Sequence, residues 1–101
     1  MQNITISGNL TSDATALQGQ NGSENMSFRV AVNDTRKGEK TVTFYDVFAL
    51  RTGVFDYLRK GQGVVVNGRL SISTADRDGR TYTNIDVMAR EIELTGGPKQ
   101  S

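Results

Sequence analysis

The sequence predicts an all-β domain: a small five-stranded barrel with one short helix between its third and fourth strands. Three observations predict it. The stretch from Thr41 to Leu70, TVTFYDVFALRTGVFDYLRKGQGVVVNGRL, reads as a strand, a capped helix and a second strand, in that order. Apolar residues in the other long runs recur with a period of two, the signature of pleated strands with one buried face. Turn formers separate those runs, with Gly38 in one hairpin and Asp78-Gly79 in another.

Taken in order, the first strand runs from about Asn3 to Leu10, with Ile4 and Ile6 pointing into the barrel. A second arm, Ala14 to Gln18, leads into GQNGSEN, a run of turn formers that reads as an exposed loop. From Met26 to Asn33, Met26, Phe28, Val30 and Val32 share one face, so Phe28 belongs to the core, while Arg29 and Ala31 face the other way. DTRKGEK then makes a charged hairpin into TVTFYDVFAL, where Phe44, Asp46, Phe48 and Leu50 alternate with Tyr45, Val47 and Ala49. A charge among apolar residues argues that the Phe44 face is not the barrel interior. The alternative buries Phe44 and Phe48 and exposes Tyr45, and periodicity alone does not choose between them.

Thr52 is placed to cap the helix, Val54, Phe55 and Leu58 share one of its faces, and Gly61 lies just past its end. Arg59 and Lys60 have a structural reason to be there, since positive charge stabilises a helix carboxyl end. Phe55 and Tyr57 read as packing residues. The strands Val64 to Thr74 and Arg80 to Leu94 are joined by ADRDG. Residues 95–101, TGGPKQS, are small, polar and broken by Gly and Pro, which predicts a disordered tail after a single domain over 1–94. A strand, a short helix and a long strand inside such a β-rich chain match the OB type of barrel, with its helix plugging one end.

Composition excludes more than it assigns. A chain of 101 residues is one domain and buries roughly two thirds of its unfolded surface, a modest core that oligomerisation would supplement. It has no cysteine and no histidine, which removes disulfides, thiolate metal sites, nearly all zinc sites and the usual nucleophile-base pairs. Its eleven acidic residues show no pairing, so neither an enzyme nor a cofactor, metal or small-molecule substrate is expected. Asp76, Asp78 and Gly79 resemble part of a calcium loop, but Ile85 stands where the bidentate acid belongs. Five N-x-S/T triplets, starting at Asn3, Asn9, Asn21, Asn25 and Asn33, reflect only a chain rich in Asn, Ser and Thr. No apolar run is long enough to span a membrane and the amino terminus lacks an export signal, so the expected location is the cytoplasm. A net charge of +1 and a pI of about 8.1 fall short of a strongly basic nucleic-acid binder, so any electrostatic footprint must be local.

Several segments together resemble the bacterial single-stranded DNA-binding protein (SSB) family. They are NITISGNLTSD with its Gly8-Asn9-Leu10, FRVAVND, TFYDVFAL, YLRKGQGVVVNGRL and RDGRTYTNIDV, covering about Met1 to Leu94, and YLRKG followed by V-x-G-R-L is the most specific. The resemblance implies an OB fold that binds and protects single-stranded DNA, regardless of sequence, during replication, recombination or repair. It also implies a nucleoid-associated homotetramer, with a dimer open, whose amino-terminal strand helps to pair subunits. Such binding needs cations along the phosphates and flat side chains under the bases. The candidate cations are Arg36, Lys37 and Lys40 on the first hairpin, Arg77 and Arg80 on the second, and Arg29, Arg51 and Arg69 along the strands or at their ends. The candidate stacking residues are Phe44, where the family has an aromatic, Phe48 and Tyr82. For Tyr82 cross-strand packing is as good a reading, and a charged hairpin is as often merely solvated.

The chain also departs from the family. Typical members carry tryptophans where this one has Thr35 or Arg36, Phe44 and about Ala75, and a phenylalanine where it has Leu50. They continue through a linker to an acidic tip that recruits replication and repair enzymes. TGGPKQS has no acid, so a chain ending there would be a bare coating core. Two other roles fit the same barrel: a tailless, dimeric primosomal replication-restart protein, and an OB module that binds a protein or sugar.

Overall fold

The computed structural model describes residues 2–18 and 24–96, leaving aside the side chain of Arg36. Among the described residues there are six strands, β1 (Asn3–Leu10), β2 (Thr15–Gln18), β3 (Glu24–Arg36), β4 (Glu39–Leu50), β5 (Gly63–Arg77) and β6 (Arg80–Thr95). The sheet runs β1-β5-β6-β4-β3 and closes on itself where Asn9 and Leu10 pair with Ala31 and Val30. Five strands therefore make the OB-type barrel, and β2 adds a sixth along β3, from Thr15↔Ser27 to Gln18↔Glu24. Closure needs a close approach of β1 to β3, and a Cβ on Gly8 would collide with the Ala31 carbonyl oxygen.

Both long hairpins turn through two residues, each with positive φ: Lys37 (52°) with Gly38 (80°), and Asp78 (50°) with Gly79 (78°). This mirror-image turn matches the twist of the flanking strands, so pairing continues to the tip, at Arg36↔Glu39 and Arg77↔Arg80. The strands are accordingly longer than their apolar patterns suggest. The predicted loop GQNGSEN gives up Glu24 and Asn25 to β3, and its other residues lie outside those described. At the other end β6 includes Thr95, one residue into the predicted tail; Gly96 follows, and 97–101 lie outside the described residues.

The interior follows the alternation. Met26, Val30, Val47, Val64, Val66 and Val87 are fully buried, joined by Ile6, Leu10 and Phe28, and Ile4 and Tyr45 pack against them half-buried. Leu58 closes the cluster from the segment between β4 and β5. That segment is not the α-helix expected. It is a 3₁₀ turn, Gly53–Tyr57, and the Thr52 side chain makes no capping bond. Five residues give too little length for helical propagation, and the turn is held by Phe55 N–H to Thr52 O and Leu58 N–H to Phe55 O, both 3.1 Å. Val54 and Phe55 still face the core, as their shared face predicted.

Arg59 and Lys60 consequently have another role than complementing a helix end. The Asp13 carboxylate accepts from the Lys60 backbone N–H at 2.8 Å and from the Arg59 side chain at 3.4 Å, clamping the β1–β2 connection to the segment before β5. The Lys60 N–H, with smaller help from Arg59, holds the Asp13 carboxyl below its ordinary value of 3.8. Among the described residues no helix is long and apolar enough to cross a membrane.

Candidate nucleic-acid interface

Strand register decides which candidate residues share a surface. Val47 and Val87 point inward, so their neighbours along β4 and β6 point outward, and pairing carries that outer face across four strands. One rung across β3, β4, β6 and β5 reads Ser27, Phe48, Met88, Arg69; the next reads Arg29, Asp46, Asp86, Ser71. Beyond these rungs the two hairpins continue the same face. On one, Ala31 pairs with Phe44 and Thr35 with Lys40; on the other, Asn84 pairs with Ser73, Tyr82 with Ala75 and Arg80 with Arg77. Because β4 and β6 run parallel, both hairpins leave the barrel at the same end.

The aromatic alternative is thereby decided in position. Phe44 is 52% exposed and Phe48 half-buried on the outer face, while Val47 is fully buried and Tyr45 packs on the core. Tyr82 is 49% exposed and, with Ala75, Arg77 and Asn84, lines a depression of about 540 Å³ near the second tip. Met88, 52% exposed beside Phe48, is an apolar surface residue that pattern reading missed. In IDVMAREIEL alternation sets Met88 opposite the buried Val87, and the register with Phe48 is what joins it to this face. Leu50, Leu17 and Met88 flank Phe48 around a second depression of about 350 Å³.

The cations divide into two groups. Arg29 and Arg51 are engaged: the Arg29 Nε donates to Asp46 at 2.9 Å, which raises the guanidinium's pKa further and explains the charge among the phenylalanines. Arg51 lies 3.5 Å from Glu24 and its guanidinium sits 4.6 Å from the centre of the Phe55 ring, so it staples the base of β3 to the 3₁₀ turn. Lys37, Lys40, Arg69, Arg77 and Arg80 are exposed. Arg36 stands in the last pair of the first hairpin. Basic residues thus gather at the two tips and at Arg69, whereas the middle of the face carries carboxylates.

This architecture has known counterparts. The chain matches the Single-strand binding protein family over residues 1–95. It is 31% identical over 102 residues to a single-stranded DNA-binding protein of Fusobacterium nucleatum, covering 93% of this chain and 66% of that one. A single-stranded DNA-binding protein of Treponema pallidum is 29% identical over 103 residues, covering 95% of this chain and 58% of the relative. The chain therefore spans less than two thirds of these relatives' length. Among solved structures, a small single-stranded DNA-binding protein from Streptomyces coelicolor superposes with a TM-score of 0.77 at 28% identity, over 93% of this chain and 94% of that one. Barrel topology, the outward phenylalanines and the match over residues 1–95 agree, and the chain belongs to the single-strand binding protein family.

Proposed function

We propose that this chain binds and protects single-stranded DNA without requiring a fixed sequence, in replication, recombination or repair. The observation that carries the reading is the outer face on which Phe44, Phe48, Met88 and Tyr82 lie accessible, bounded by Lys37, Lys40, Arg69, Arg77 and Arg80. Unpaired bases stack on such side chains for about 1–3 kcal/mol each, and a duplex, whose bases are already stacked, cannot use them. Phosphates run along the basic margins and release counterions there, so affinity falls with salt. Phe44 takes the place of a family tryptophan, and Met88 with the Phe48 ring supplies apolar surface that the missing tryptophans do not. Arg29 and Arg51 act mainly through their protein partners in this reading. The role is binding with no chemical step, in the cytoplasm at the nucleoid, and the assembly we propose is a homotetramer.

The test is titration of fluorescent oligo-dT and of a duplex of equal length at two salt concentrations. Salt-weakened binding of the single strand, with little duplex affinity, is the expected result. Equal affinity for both would sink the proposal.

A further inference from the structure

Asp86 has no structural reason to be charged. It stands beside Asp46 in the parallel β4–β6 pair, where strands are about 4.8 Å apart and like charges repel. Arg29 answers only Asp46: its Nε lies 2.9 Å from Asp46 Oδ1, and among the described residues no cation lies within ion-pair distance of Asp86. The side chain is half-buried on the outer face, between the Phe48–Met88 rung and Asn84. A phosphate would be repelled there. What can occupy the centre is a base, stacked on the neighbouring aromatics with its hydrogen-bonding edge toward the carboxylate.

An ionised carboxylate only accepts hydrogen bonds. Guanine offers it two adjacent donors, N1–H and the 2-amino group, spaced for both carboxylate oxygens. Adenine and cytosine offer one amino group. Thymine offers an N3–H flanked by two carbonyl oxygens that oppose the negative charge. We infer that Asp86 is a base-selecting residue that biases this face toward guanine and against thymine, a preference in composition laid over sequence-tolerant binding. The inference rests on the proposed single-strand binding at this face and names its ligand chemistry more closely.

The experiment compares three single strands of equal length with the full chain: oligo-dT, alternating dT/dG, and the alternating strand with deoxyinosine replacing guanine, which deletes the 2-amino donor. The dT/dG strand is expected to bind about tenfold more tightly than oligo-dT, in line with one bidentate base contact, and the inosine strand to lie between them. Asp86→Asn, nearly isosteric, and Asp86→Ser, matching the Ser71 it pairs with, should both fold, hold oligo-dT at least as well as wild type, and lose the preference. Oligo-dT binding with no preference for guanine, or a preference that survives both substitutions, overturns the inference and leaves the proposed function standing. Failure of the wild type to bind any single strand at low salt overturns both.

Discussion

The inner and outer faces of the same four strands differ in kind. Inward, Val30, Val47, Val66 and Val87 are all fully buried, and each could be replaced only by a residue of similar shape. Outward, one residue along each strand, the face holds phenylalanine, methionine, arginine, aspartate and serine within two rungs. The inner set is uniform because burial imposes one requirement, while the outer set is mixed because nothing in the barrel requires it. A mixed face with exposed aromatics is where function has to be sought.

Three substitutions would break or sharpen that contrast. Leu58→Ala empties a fully buried position under the barrel and should cost about 2–5 kcal/mol of unfolding free energy in urea titrations, with oligo-dT affinity per folded molecule unchanged. If the folded variant lost affinity, the two faces would not be separable. Phe44→Ala should do the reverse, weakening oligo-dT binding by about 1–3 kcal/mol while leaving the urea midpoint almost where it was. A large fall in stability there would mean that Phe44 supports the first hairpin rather than a base.

The smallest effect concerns the clamp at Asp13, which lies at the margin of the outer face beside Ser27 and Arg29. Its carboxyl is held low in the folded state, chiefly by the Lys60 N–H, so the clamp stabilises at pH values above the ordinary 3.8 and is lost as pH falls through the lower folded value. Urea midpoints of wild type and Asp13→Asn should therefore differ at neutral pH and converge below 3.8. A gap that persisted in acid would show that the carboxylate charge is not what matters.

Much of this was legible in the chain itself. Period-two alternation located five barrel strands and put Phe28 inside, and the lone Asp46 pointed to the Phe44 face as the outer one. Asp46 was a sound signal for a physical reason, since a buried carboxylate would need a partner that the apolar run did not offer; the partner, Arg29, is across the strand pair on the surface. What alternation could not reach was anything set by pairing. Met88 and Asp86 became part of the face only through the parallel register of β6 with β4. Arg51 was read as a surface cation because Glu24, distant in sequence, is brought alongside only by the fold, and the Phe55 ring, though close in sequence, comes under the guanidinium only through the 3₁₀ turn. The helix was overestimated because cap and apolar spacing were present while the length to use them was not.

The parallel seam between β4 and β6 is three residue pairs long and joins segments far apart in the chain, whereas each long hairpin closes through a two-residue turn. Hairpins of that kind form from local contacts, and the seam must wait for the loop between its halves to close. Both rungs of the outer face cross this seam. A chain with its hairpins formed but its seam open would own every one of these side chains and still present no binding surface. Ligand therefore favours only the closed ring, and in proportion to the logarithm of its concentration it should protect from proteolysis the joint on which the whole barrel depends.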